Sequence, residues 1–212
     1  MTYKEAYEFG KSFLAGYEES DALLLLEYAS GLDRNVLYVH PETIIDDEAK
    51  DKYTSFLQRR KNNEPVQYIT GRTYFYGMEI LTEKEVLIPR FDTETLVEEA
   101  LKVIKPGDRV LDVCTGSGCI ILAIAANSKE IKAEASDISQ KAIDLAEKNS
   151  DKLGFDIKFL LGDMFEKASG KYDVIVSNPP YIERKVIESL DETVKDYEPK
   201  LPSFRRFRFL QH

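Results

Sequence analysis

The sequence predicts an α/β fold in which a parallel sheet with crossover helices follows a small helical domain. Two observations carry this. From Asp92 onward, short apolar runs alternate with stretches of helical period, whereas the first sixty or so residues show the helical period alone. A glycine pair, Gly116 and Gly118, also stands immediately after the first of the apolar runs. The length of 212 residues, with 43% hydrophobic and 32% charged, suits one or two domains with a real core.

In the helical part, Tyr3 to Leu14 is amphipathic, and Ser20 is read as the cap of a second helix over Asp21–Tyr28, ended by Gly31. Asp46 or Asp47 opens a third, running to Lys61, and Pro65 stops the pattern. Thr73 to Leu81 reads as two short strands around Gly77, with Val86–Ile88 extended before Pro89. Asp92 is expected to cap a helix through Leu96, Val97, Ala100, Leu101 and Ile104, stopped by Pro106-Gly107. Then come strand Arg109–Val113, helix Gly118–Ala126, strand Ile131–Ser136, helix Ser139–Asn149, and strands Ile157–Leu161 and Tyr172–Ser177.

Composition narrows the function. The formal charge is −9, which disfavours a polyanion partner and tilts the balance towards a protein or small-molecule substrate. The first residues lack the apolar stretch of a signal peptide, and the longest apolar run, Cys119 to Ala126, is too short to span a bilayer; a cytoplasmic protein is expected. Cys114 and Cys119 lack metal-like spacing, and there are two histidines, so neither a metal site nor a disulfide is expected.

The chemistry lies at the strand ends. Leu111-Asp-Val-Cys-Thr-Gly-Ser-Gly118 joins the first strand to its helix, where a ligand can approach the backbone closely. Asp137 ends the second strand, placed to accept both hydroxyls of a ribose. A dinucleotide fingerprint would need a third glycine where Ile121 stands, and Asp112 better suits the ammonium of S-adenosylmethionine. Gly162-Asp163-Met164-Phe165 closes the third strand, where an adenine would lie.

After the last strand comes Asn178-Pro179-Pro180-Tyr181. The Asn178 side-chain oxygen and the Pro179 carbonyl are two acceptors for an NH₂ group, the second fixed in direction by consecutive prolines. Tyr181 offers an aromatic wall for a planar group. Taken singly, the glycine pair is an ordinary turn, Asp137 a solvated acid and the proline loop a rigid connection. Together, in order and each after a strand, they point to methyl transfer from S-adenosylmethionine onto a weakly nucleophilic nitrogen, within a class I, Rossmann-like methyltransferase domain.

The chain resembles the release-factor glutamine N(5)-methyltransferases. The resemblance rests on the helical N-terminal domain, Gln67-Tyr-Ile-Thr-Gly71, Leu87-Ile-Pro-Arg-Phe-Asp-Thr-Glu94, the Cys114–Gly118 turn, Asp137, Ser177-Asn-Pro-Pro-Tyr-Ile182 and Tyr197-Glu-Pro-Lys-Leu201. It implies methylation of the glutamine in the Gly-Gly-Gln motif of class 1 peptide chain release factors. It further implies that Cys114, Thr115, Gly116, Ser117, Gly118, Asp137, Met164 and Asn178 contact the cofactor, and Asn178, Pro179, Pro180 and Tyr181 the glutamine.

On the same resemblance, residues 1–70 form a substrate-docking domain and 71–90 a hairpin linker, with Gln67 to Glu94 lining a cleft where Arg90 is a weaker candidate. Residues 91–201 form a partial methyltransferase domain, incomplete at its C-terminus, and 202–212 an unrelated tail. Cys114 stands where many members carry glycine, and Phe91-Asp92 where they carry Pro-Glu; past Leu201 the family's further strands are replaced by Pro-Ser-Phe-Arg-Arg-Phe-Arg-Phe-Leu-Gln-His. Two other readings stand beside this one. The first is an N(6)-adenine nucleic-acid methyltransferase gripping a flipped base with the same tetrapeptide. The second is an inactive, truncated remnant.

Overall fold

A computed structural model describes residues 1–179 in two compact units, the first Met1–Thr70 and the second beginning at Gly71. Pro180, Tyr181, the segment matched at Tyr197–Leu201 and the 202–212 tail lie outside the described residues.

The first unit is helical: α1 (Tyr3–Phe13), α2 (Glu19–Ser30), α3 (Val36–Val39), α4 (Asp47–Lys61) and α5 (Val66–Thr70). Helix α1 opens with a reciprocal cap, in which the Glu5 amide donates to the Thr2 hydroxyl and the Thr2 amide to the Glu5 carboxylate, at 3.1 and 2.8 Å. Tyr3, Leu25, Leu26, Tyr53 and Leu57 are fully enclosed and form the centre of its core. Gly10 makes that packing possible, because a Cβ there would collide with the Tyr53 hydroxyl, which donates to the Ala22 carbonyl at 3.0 Å. Two expectations are corrected here. Helix α2 begins at Glu19 without a side-chain cap, so Ser20 lies inside its first turn. Pro65 does not simply stop the helical pattern; it immediately precedes α5, and its carbonyl accepts the Tyr68 and Ile69 amides at 3.0 and 3.1 Å, so helix resumes beyond it. Gly31 and Asp46 end α2 and cap α4 as expected, the latter accepting from the Ala49 amide at 2.7 Å.

The second unit starts with an antiparallel hairpin, β1 (Arg72–Phe75) and β2 (Met78–Leu81). Tyr76 and Gly77 both have positive φ, the turn geometry that matches strand twist. Phe75 and Ile80 are buried in the same cluster as Val97, Val110, Ile121 and Val176, so the hairpin is part of this unit's core. Val86 and Ile88 are buried but form no strand. Asp92 does not cap the next helix: Phe91–Thr93 form a 3-10 turn, and α6 (Glu94–Val103) follows it.

The sheet itself comprises β3 (Arg109–Val113), β4 (Lys132–Asp137), β5 (Lys158–Leu161) and β6 (Val174–Ser177), with α7 (Cys119–Asn127) and α8 (Gln140–Leu153) as crossovers. All pairings are parallel, in the order β5-β4-β3-β6. The chain therefore steps outward from β3 to β5 and then returns to the other side of β3, which makes the C-terminal ends of β3 and β6 a topological switch point. At the opposite end of β3, the Arg109 guanidinium pairs with Glu134 at 2.6 Å and lies 4.5 Å over the Tyr172 ring. There the Arg109 guanidinium and the Asp173 carboxylate, which accepts the Arg109 amide at 2.9 Å, tie neighbouring strands together.

Candidate active site

The turn after β3 is fixed by its own backbone and by buried groups. Its Thr115 amide donates to the Ser136 carbonyl at 3.1 Å, and the Gly116 amide to Asp137 Oδ2 at 2.9 Å. Gly116 and Gly118 have φ of +57° and +80°, as a turn of this tightness requires. Gly118 stands at the N-cap of α7, where a Cβ would come within 3.1 Å of the Ala146 Cβ. The Ser117 carbonyl is held from behind by Asn149, whose amide donates to it at 2.9 Å while also exchanging bonds with both backbone groups of Leu81.

Two aspartates on this edge have separate tasks. Asp137 is half-buried; its Oδ1 accepts the Ser139 amide at 2.9 Å and its Oδ2 the Gly116 amide, leaving further lone pairs for a pair of hydroxyls. Asp112 was expected to meet an ammonium, and the structure corrects that. It is completely enclosed, with Oδ2 accepting the Thr115 hydroxyl at 2.6 Å and Oδ1 unpartnered among the described residues. Burial pushes its carboxyl up to about 7, against the Thr115 hydrogen bond and with help from the charge of Asp137. The folded protein thus holds this proton more tightly than the unfolded chain. The resulting stability is complete below the ordinary pKa of 3.8 and is lost as the pH rises through about 7. Asp112 braces the turn and has no surface to offer a ligand.

Cys114 and Met164 meet at the ends of β3 and β5, Sγ to Sδ 3.9 Å, each in the left-handed region with φ of +61° and +49°. Burial, with Asp137 and Asp112 nearby, pushes the Cys114 thiol up to about 11, which makes it a packing group and no nucleophile. The Ser136 hydroxyl donates to the Met164 carbonyl at 3.0 Å and fixes that strand end against β4. Phe165, in the segment expected to meet an adenine, is 51% exposed; sequence reasoning passed over Ile138, which follows Asp137 at the end of a paired strand and is 60% exposed. An exposed apolar residue immediately after a strand-end acid was the available signal.

Across the switch point, β6 ends at Ser177, whose hydroxyl donates to the Val113 carbonyl at 2.7 Å and so ties the start of the proline loop to the start of the glycine turn. Asn178 follows, half-buried, with its Nδ2 donating to the Thr93 hydroxyl at 3.1 Å. Cys114 to Gly118, Asp137, Met164, Asn178 and Pro179 thus share one edge of one sheet. This set suits an adenosyl sulfonium: a carboxylate with spare lone pairs for a ribose, exposed apolar side chains for a base, and a glycine turn whose Gly116 has, among the described residues, only Val86, at 3.9 Å, within reach of an added Cβ. Among the described residues no group of His, Cys, Asp or Glu could hold a metal ion, and no helix is long and apolar enough to cross a membrane.

Comparison with known proteins agrees with this architecture. Residues 5–71 match the model of the PrmC N-terminal domain, and residues 90–195 that of the methyltransferase small domain. The chain is 38% identical over 209 residues to the release factor glutamine methyltransferase of Bacillus subtilis, covering 93% of this chain and 73% of that one. It is 39% identical over 202 residues to the protein of the same name from Clostridium acetobutylicum, covering 92% and 71%. A crystal structure of a ribosomal protein L11 methylase from Lactobacillus delbrueckii aligns over 42% of this chain and 47% of its own, at 29% identity and a TM-score of 0.37, a likeness too partial to add to the assignment. With two domain models in the right order and relatives matched along most of their length, the chain belongs to the release factor glutamine methyltransferase family.

Proposed function

We propose that this chain transfers a methyl group from S-adenosylmethionine to the side-chain amide of the glutamine in the Gly-Gly-Gln motif of class 1 peptide chain release factors, in the cytoplasm where those factors work. The observation that carries the proposal is the pairing of β3 with β6, which sets Asn178 and Pro179 beside the glycine turn across a switch point.

When bound, the cofactor supplies an electrophilic methyl on a sulfonium. Asp137 takes the ribose hydroxyls, the Cys114–Gly118 turn lies along the amino-acid end, and Met164 lies against the adenine. Asn178 Oδ1 and the Pro179 carbonyl accept the two amide hydrogens of the glutamine. Gripped this way, the nitrogen lone pair is directed out of the amide plane, and alignment supplies most of the acceleration. The same acceptors stabilise positive charge developing on nitrogen. That nitrogen then sheds its proton to solvent without a dedicated base, since Asp112 is fully enclosed and the half-buried Cys114 thiol, pushed up to about 11, stays protonated. In this reading residues 1–70 dock the release factor, and 71–90 are the hairpin linker that joins them to the methyltransferase domain.

Incubation of the chain with methyl-labelled S-adenosylmethionine and either a release factor or adenine-containing DNA tests the proposal. Label is expected in the protein. Label in the DNA would transfer the tetrapeptide to an adenine methyltransferase, a reading that the net charge of −9 disfavours. A thermal melt addresses the remnant reading, since a cooperative transition raised by S-adenosylmethionine requires a folded, binding-competent chain.

A further inference from the structure

A carboxamide has two ends of nearly equal shape, and only one of them can accept from an NH₂ group. For Asn178 to grip a substrate amide, its oxygen must face the substrate and its nitrogen must be satisfied elsewhere. The structure supplies that second partner. Asn178 Nδ2 donates to Thr93 Oγ1 at 3.1 Å, across 85 positions of sequence, and its Oδ1 has no partner among the described residues.

Thr93 is not otherwise engaged in the way its position suggests. It occupies the N-cap of α6, yet with φ of −72° and ψ of −17° it is already helical, and its side chain makes no cap hydrogen bond. The hydroxyl is therefore available to the loop after β6. Its backbone is held in place, because the Thr93 amide donates to the Arg90 carbonyl at 3.0 Å and the neighbouring Glu94 carboxylate accepts the Tyr76 amide at 2.6 Å. The hairpin turn, the start of α6 and Asn178 thus form one chain of contacts.

We infer that Thr93 is a positioning residue, whose hydroxyl anchors the Asn178 carboxamide with its oxygen turned to the substrate. This rests on the function proposed above. A flipped carboxamide would set N–H against N–H at the substrate, so the productive orientation needs an acceptor for Nδ2, and Thr93 is that acceptor. Valine keeps the β-branched shape and removes the acceptor; serine keeps the hydroxyl.

The test compares the wild-type chain with Thr93→Val and Thr93→Ser. One readout is the Asn178 carboxamide pair in ¹H–¹⁵N spectra, identified by its absence in Asn178→Asp. The other is methyl transfer to a release factor at saturating S-adenosylmethionine. Thr93→Val is expected to shift the carboxamide signals towards those of a free amide, to speed their hydrogen exchange, and to lower kcat about tenfold, the worth of one hydrogen bond. Thr93→Ser should retain the signals and rescue kcat to within about twofold, with KM for S-adenosylmethionine unchanged in both variants. Carboxamide signals unaffected by Thr93→Val, or a serine variant as impaired as the valine one, would overturn the inference. If wild type transfers no methyl group to a release factor, the functional proposal fails, and the carboxamide signals alone decide whether Thr93 anchors Asn178.

Discussion

The loops after β3 and β6 leave neighbouring strands of the same sheet, and they are held by opposite means. The glycine turn is specified by its own backbone: amides of Thr115 and Gly116 donate to β4, two glycines supply positive φ, and Asp112 and Asn149 brace it from the interior. The loop at Asn178 is set by side chains, the Ser177 hydroxyl on Val113 and the Asn178 amide on Thr93, with two prolines next in sequence to restrict the backbone. A cofactor with the same shape in every turnover suits a rigid backbone cradle. A substrate amide that must be aimed suits adjustable side-chain acceptors. Damage should accordingly fall on binding and stability in the first loop and on turnover in the second.

Removing the acceptor in the second loop has the largest expected effect. Asn178→Ala should lower single-turnover methyl transfer about 100-fold or more through lost alignment, and near-normal transfer would break the comparison at its strongest point. Next comes Asp137→Ala, which deletes the acceptor of two backbone amides and, in the proposed function, of the ribose hydroxyls. Calorimetric titration should show S-adenosylmethionine binding weakened by about 10- to 100-fold, the worth of one or two hydrogen bonds to a charged group; unchanged affinity would remove this turn from the cofactor site.

Gly118→Ala probes the cradle itself, adding strain at φ +80° and a contact 3.1 Å from Ala146. Urea unfolding should register a loss of about 2 kcal/mol. The mildest change is Cys114→Gly, which relieves a non-glycine φ of +61° but frees the unfolded chain. A gain of about 0.5 kcal/mol is expected from these opposing terms, and a clear loss would show that the Cys114–Met164 contact outweighs the strain.

How much of this molecule was legible in the sequence depends on the same contrast. Strand Arg109–Val113 and the helix expected over Ser139–Asn149 were legible because local signals fix them, an apolar run bounded by turn residues and an amphipathic period, although Ser139 proves to be the cap of a helix that runs on to Leu153. Helices α3 and α5 were not, being too short to show a period. Asp92 looked like a cap because residue type is visible and the intervening 3-10 turn is not. The site showed the same limit. Glycines, Asp137 and Asn178 announce themselves by type and order, whereas Asp112 and Asp137 differ only in burial, which the chain acquires on folding. Thr93 lay within the segment quoted for the resemblance, but nothing local tied it to Asn178, since its partner lies 85 positions away.

The most direct test of the central claim is to locate the methyl group. A release factor incubated with this chain and S-adenosylmethionine, then digested and fragmented in a mass spectrometer, should carry one added methyl on the glutamine side chain of its Gly-Gly-Gln peptide, and none when Asn178→Ala replaces the wild type. A methyl group found on any other residue, or equal modification by both proteins, would contradict the account.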